Sequence, residues 1–390
     1  MKEILKSYKY LVEPTNEQIV LLNKHFGSVR YVYNYFLNQR MSQYKETKKS
    51  DNYLAQANAL TKLKKEEKTN WLKEINSQTL QSALKNLEVA YLNFFRGNAK
   101  FPRFKSRKHK NSFRVPQSVN VEDEKIYIPK FKDGIKINQH REFNGKIRQC
   151  TFSRSSTGKY YVSILVNTTH NPLPKTGKIV GIDLGIKDFC ITSDGHKFKN
   201  NRYTKRYERV LKIAQQHLSR KQKGSHQYEN QRLKVAKIHE KITNSRIDTL
   251  QKVSSKLISS YDVICLEDLA VKNMIKNHKL AKHISDCSWG AFINMLSYKA
   301  NWNDKTIVKI GRFFPSSKTC SNCGWIKEDL NLSDREWTCQ VCNCKHDRDH
   351  NAALNILSEG TSEYTNGDDV NPSNRLFSMK LEAPGSLAQG

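Results

Sequence analysis

Four cysteines near the C-terminus are spaced Cys320-x2-Cys323, fifteen residues, Cys339-x2-Cys342. Two CxxC pairs at that separation can set four thiolates in a tetrahedron around Zn²⁺. A structural zinc is therefore expected, against disulfides or unrelated thiols. Cys344 and His346 compete as fourth ligand, and Cys342 is preferred because it completes a CxxC. Just beyond, Asp349 opens the helical run DHNAALNIL. Two further acids sit at the ends of apolar runs: Asp183 in IVGIDLGI and Glu267 in VICLE. A carboxylate in a core strand is costly unless something compensates it. Divalent metal is the best compensation, because hard oxygens suit Mg²⁺ or Mn²⁺. Acids sharing two such ions could activate a water and stabilise a leaving oxygen at phosphorus. Each acid alone has a plainer reading: Asp183 could be a turn residue and Asp349 a helix cap. Asp188, Asp268 and Asp347 compete for the three roles.

The elements that must position these acids can be read around them. GKIVGIDLGIKDFCITSDG reads as a strand pair, YDVICLEDL and TIVKIGRFF as later strands. Residues 285–303 read as a helix packing through Trp289, Phe292, Leu296 and Trp302. A basic helical hairpin has arms at 202–222 and 227–260 and turns at Lys223-Gly224-Ser225. It carries Lys212, Arg220, Lys221, Arg232 and Lys234, which could line a nucleic-acid channel or simply form a solvated face. Upstream, 1–13 reads as a strand, and Thr15 with Gln18 forms a capping box opening a helix. A second helix is expected over 53–68. A third starts near Ser77, with Leu80, Leu84, Leu87 and Tyr91 as a core stripe. In KFPRFKSRKHKNSFRVP, Phe101, Phe104 and Phe113 interleave with Arg103, Lys105, Arg107, Lys108 and Arg114. Such rings can stack on bases while the cations meet phosphates; a solvated basic loop is the alternative. Short strands fill 119–168, with a hairpin turn at Ser155–Gly158. Residues 169–177 read as a linker and 358–390 as a disordered tail.

The chain of 390 residues carries 67 Lys and Arg against 37 Asp and Glu, a net charge of +30. That excess strains a compact fold by self-repulsion unless a polyanion offsets it, and nucleic acid is the expected partner. Nine cysteines, with Cys150, Cys190, Cys265 and Cys287 in apolar settings, point to a reducing compartment. No stretch resembles a signal peptide or a membrane span, so a cytoplasmic, nucleoid-associated location is expected and membrane partners are not.

An acid in the first strand of a hairpin, another on a later strand and a third on the final helix is the pattern of RNase H-like nucleases. GIDLGIKDF, LEDL, SWGAFINMLSYKA, FFPSSKTCSNCG, WTCQVC and HDRDHNAALNI follow one another in order. Together with RYVYNYFL, LQSALKNLEVAYLNFF and HEKITNSRIDTLQKVS they make the chain resemble TnpB, the OrfB-type insertion-sequence proteins related to type V CRISPR effectors. The resemblance implies an α/β plus all-β fold: a wedge β-barrel (1–13 and 97–168) carrying a helical recognition insertion (14–96). An RNase H-like RuvC nuclease domain (178–316 and 346–357) would follow, holding an inserted zinc ribbon (317–345). It implies an RNA-guided, Mg²⁺-dependent DNA endonuclease of a transposon, cutting beside a short target-adjacent motif. The expected species is a monomeric ribonucleoprotein of a bacterial cell, with a guide RNA from the transposon end and target DNA as partners. Asp183, Glu267 and Asp349 fall on the catalytic positions, and Cys320, Cys323, Cys339 and Cys342 on the zinc positions. Tyr53 and Gln81 lie where relatives contact the adjacent motif. Arg103, Lys105, Arg107, Arg114, Arg220, Lys221 and Arg246 are expected nucleic-acid contacts. A guided regulator without nuclease activity, or an RNase H-like transposase performing strand transfer, stands as the alternative.

Overall fold

The computed structural model describes residues 1–108, 111–331 and 333–365. The chain divides into two compact units, Glu3–Thr169 and the residues from His170 onward together with Met1–Lys2. The boundary falls at the start of the expected linker.

In the first unit, strand β1 (Lys2–Glu13) leads into helix α1 (Asn16–Thr47). Thr15 and Gln18 make the reciprocal capping box that their spacing implies, at 3.3 and 3.1 Å. Helix α2 (Tyr53–Leu63) stops five residues short of the expectation, and the chain continues as a 3₁₀ segment, Glu67–Glu74. Leu63 at the end of α2 and Leu72 in the 3₁₀ segment are both buried. Helix α3 (Ser77–Phe95) buries Leu80, Leu84, Leu87 and Tyr91 as expected. Six strands follow: β2 (Asn111–Val115), β3 (Asn120–Glu122), β4 (Lys125–Ile128), β5 (Phe131–Asn138), β6 (Lys146–Arg154) and β7 (Tyr160–His170). They join β1 in one sheet of order β2-β6-β7-β1-β5-β4-β3. Its edges are β2 and β3, so among the described residues this is an open sheet where a closed barrel was expected. The three-residue β3 offers too short an edge to extend a ladder further. Phe113 on β2 is a second correction. It is 2 % exposed, stacked on Phe152 at 5.3 Å and packed on Phe26 at 5.1 Å. Strand alternation turns Phe113 inward and Arg114 outward.

In the second unit, β8 (Ile179–Asp183), β9 (Asp188–Thr192) and β10 (Lys197–Lys199) form an antiparallel meander. The basic hairpin is α4 (Tyr203–Ser219) and α5 (His226–Ser260), the latter capped by Ser225. Strand β11 (Val263–Glu267) pairs in parallel with β8 and with β12 (Thr306–Ile310). Helices α6 (Val271–Met274), α7 (Ala281–Cys287) and α8 (Trp289–Trp302) lie between β11 and β12 in the chain. A small hairpin, β13 (Glu336–Thr338) with β14 (Lys345–Asp347), precedes the long helix α9 (Arg348–Thr365). The five-stranded sheet has order β10-β9-β8-β11-β12.

Both faces of this sheet are covered, which explains why its strands read as unbroken apolar runs. Val180, Ile182, Ile264 and Leu266 pack into a core with Leu250, Leu257, Phe292 and Leu296 of α5 and α8. Val263, Cys265, Val308 and Ile310 pack with Ile356 of α9 on the other face. Helix α9 takes in the first eight residues of the expected tail because its Gly360 packs on the sheet, where an added Cβ would lie 2.5 Å from Cys265. The remainder of that expected tail lies outside the described residues.

Candidate functional site

Strand periodicity decides where the acids point. Even-numbered residues of β8 and β11 face α5 and α8, so Gly181, Asp183, Cys265 and Glu267 face α9. The β8–β11 register, with Leu266 opposite Ile182, sets Glu267 beside Asp183 at the ends of adjacent parallel strands. Helix α9 crosses β8 at Gly181, where a Cβ would stand 2.2 Å from the Ala353 carbonyl. Only glycine permits that approach. Asp349 lies one helical turn before Ala353, which brings it toward the same strand ends.

The electrostatics agree with this placement. Burial pushes the Asp183 carboxyl up to about 8, and the charges of Glu267 and Asp349 push in the same direction. Ser316 Oγ donates to Glu267 Oε1 at 2.5 Å. Arg335 Nη1 stands 3.6 Å from Asp349 Oδ1. Two of the three competing acids have other work. Asp347 Oδ1 accepts from the backbone amides of Asp349 and His350, both at 3.1 Å, so Asp347 rather than Asp349 caps α9. Its other oxygen takes Lys197 at 2.7 Å. Asp268 is paired with Arg312 at the surface, and Asp188 begins β9 across the hairpin.

The four cysteines come together. The sulfurs of Cys320, Cys323, Cys339 and Cys342 all lie within 4.8 Å of one another. Cys320–Cys342 and Cys323–Cys339 are 3.6 and 3.5 Å apart. A tetrahedron of thiolates at ~2.3 Å from zinc has edges of ~3.8 Å, so the cluster is compatible with zinc. Both pairs sit in equivalent knuckles: the Gly324 amide donates to Cys320 O and the Asn343 amide to Cys339 O. Gly324 and Asn343 both have positive φ, four residues after the first cysteine of their pair. Their matching positions are a knuckle signal that the cysteine spacing alone did not use. Hydrogen bonds from the Asn322 side chain and the Cys344 backbone hold the Cys342 thiol down at about 5, favouring thiolate. Cys344 stands outside the cluster. His346 Nε2 approaches Cys320 Sγ at 3.1 Å, while its ring packs on Trp337 at 4.6 Å.

The expected nucleic-acid contacts divide. Arg103, Arg107, Arg114, Arg220 and Lys221 are exposed. Lys105 folds its ammonium over the Tyr33 ring at 3.9 Å, and its backbone is clamped by Asn34. Gln81 is exposed on α3, one turn before Lys85, whose ammonium lies 5.5 Å from the Tyr53 ring. Tyr53, Gln81 and Lys85 therefore share one patch, and Lys85 was not singled out from the sequence. Arg246 is a correction: its guanidinium is spent inside the unit, on Asp286 at 2.7 Å and Thr204 at 3.0 Å. Both partners of that ion pair are nearly buried, at 12 % and 7 % side-chain exposure. Among the described residues, no helix is long and apolar enough to cross a membrane.

Three family models match this chain: OrfB_IS605, described as "Probable transposase", over 162–278; "Cas12f1-like, TNB domain" over 289–356; and "Helix-turn-helix domain" over 1–49. In this structure the last segment is a strand followed by one uninterrupted helix of 32 residues. A "Putative RNA-guided DNA endonuclease" of Streptomyces pristinaespiralis is 38 % identical over 95 % of this chain and 93 % of its own length. The "Putative RNA-guided DNA endonuclease InsQ" of Escherichia coli (strain K12) is 31 % identical over 94 % of this chain and 95 % of its own. A Cas12f1 chain solved by cryo-EM with sgRNA and target DNA shares the fold at TM-score 0.52 and 12 % identity, over 91 % of this chain and 99 % of that one.

Proposed function

The chain belongs to the OrfB/IS605 family of TnpB-like proteins, and on that premise we propose that it is an RNA-guided DNA endonuclease requiring divalent metal. The observation that carries this reading is that Asp183 and Glu267 stand at the ends of adjacent parallel strands and that Glu267 and Asp349 both act electrostatically on the buried Asp183. Burial first, and then the charges of Glu267 and Asp349, raise the Asp183 carboxyl to about 8. A buried carboxylate acted on by two others suits a cation site better than a structural one.

In this reading Asp183, Glu267 and Asp349 hold Mg²⁺ or Mn²⁺, which when bound supplies an activated water and charge for the leaving 3′ oxygen. A bound cation would favour the ionised form of Asp183, offsetting the burial and the neighbouring charges that raise its carboxyl. Ser316 fixes one oxygen of Glu267, and Asp347 holds the first turn of α9 so that Asp349 is presented in a constant direction. The four cysteines hold a structural zinc and keep the ribbon folded beside α9.

Sequence recognition is assigned to base pairing with a guide RNA, and the protein grips the backbone of the paired strands. A net charge of +30 suits that task. Residues 14–96 act as the recognition region on the 1–13 and 97–168 sheet, with Tyr53, Gln81 and Lys85 against the target-adjacent motif. The exposed Arg103, Arg107, Arg114, Arg220 and Lys221 meet phosphates. Residues from 178 through α9 form the RNase H-like nuclease. The test is plasmid cleavage by protein co-purified with its RNA, across an Mg²⁺ titration, with matched and scrambled guides. Linear product that follows the matched guide supports the reading; equal cutting by RNA-free protein contradicts it.

A further inference from the structure

Resting on that nuclease reading, we propose that the zinc ribbon and the acid cluster are mechanically one unit, in which Ser316, Asn351 and Asn355 position Glu267 to take its cation. The segment that leaves β12 and enters the first cysteine knuckle is a closed turn. The Thr319 amide and hydroxyl both donate to Pro315 O, each at 3.0 Å. Asn355 of α9 clamps both ends of it, its Nδ2 donating to Ser316 O at 2.7 Å and Thr319 O at 2.6 Å. One turn earlier, Asn351 straddles Cys320. Its Nδ2 donates to Thr319 O at 2.7 Å and its Oδ1 accepts from the Ser321 amide at 3.0 Å.

Both asparagines are nearly fully buried, at 1 % and 5 % exposure. Asparagine is an unfavourable choice inside a helix, where its side chain competes with the backbone. These contacts give each one a structural reason to be there. The outcome is that the Ser316 hydroxyl is delivered to Glu267 Oε1 by a turn bolted to the helix that carries Asp349. A carboxylate pinned through one oxygen presents the other in a fixed direction, and such supporting bonds set cation affinity. A shift of the Cys320 knuckle moves Ser316, and Ser316 moves Glu267. These are positioning residues.

The test uses the full-length, zinc-loaded chain and Mn²⁺ alone as the probe. Binding is followed by the loss of the free Mn²⁺ EPR signal, with Asp183→Ala defining background. Ser316→Ala removes only the hydroxyl at Glu267. Asn351→Ala touches only ribbon backbone, 30 residues away in sequence at Ser321. Both variants are expected to keep one zinc per chain and to weaken Mn²⁺ binding at the acid site about 10–100-fold. Unchanged Mn²⁺ affinity in both overturns the proposal, and weakening in Ser316→Ala alone overturns the coupling to the ribbon. Wild-type protein that binds no more Mn²⁺ than Asp183→Ala overturns the nuclease reading and this inference together.

Discussion

Asp183 sits where a carboxylate is least welcome, at the end of a covered strand between two other acids. Its raised carboxyl holds a proton across a window, about 4 to 8, in which the unfolded chain has released it. The folded state therefore binds more protons there, and stability falls as pH rises through that window. The metal-free Asp183→Asn variant should be more stable than wild type at pH 8, by about 1–3 kcal/mol. The gap should close toward pH 4 and on adding Mg²⁺, as thermal melts would show; a wild type more stable at pH 8 without metal would contradict the cluster. Cleavage by Asp183→Ala should fall about 10³-fold or more, with RNA retained, since the loss is confined to metal-borne stabilisation. The cysteine cluster was legible because two thiol pairs at knuckle spacing form a pattern of their own, and the acids drew notice because each is a charge at the edge of an apolar run. Ser316, Asn351 and Asn355 were not, because their partners are backbone carbonyls or a distant carboxylate. Phe113 and Arg246 were misread because local composition does not say which face of a strand or helix is buried.

At the level of elements, the site depends on how closely α9 approaches the sheet. Gly181 lets the helix lie on β8, and Gly360 does the same at β11. A Gly181→Ala methyl would run into the α9 backbone at Ala353 and Leu357, which cannot give way as a side chain can, so it should cost about 3 kcal/mol and weaken cleavage with it. Gly27 of α1 is the contrasting case, with nothing within 4 Å of its added Cβ. Gly27→Ala should stabilise the chain by about 0.5–1 kcal/mol through helix propensity alone. Urea titrations of the two variants should shift in opposite directions; a shift of the same sign would remove the packing argument. Most elements were visible in the sequence, since amphipathic stripes and capping boxes are local signals. The 3₁₀ break after Leu63 and the extension of α9 to Thr365 were not, because both are settled by what the segment packs against.

For the whole molecule, charge is the property read most directly from composition, and it has a direct consequence. If the chain grips an RNA–DNA duplex through many phosphates, affinity for the guide complex should drop steeply with salt. About 10³–10⁵-fold is expected between 50 and 200 mM for 6–10 phosphate contacts. A flat dependence in filter-binding assays would mean that the basic residues are solvated faces. The claim on which the account turns is that Asp183, Glu267 and Asp349 share divalent cations. Crystals of the zinc-loaded protein soaked in Mn²⁺ would report on it through anomalous scattering. The account predicts Mn²⁺ density bounded by those three carboxylates and lost in Asp183→Ala. Density confined to other acids, with nothing between these three at saturating Mn²⁺, would contradict it.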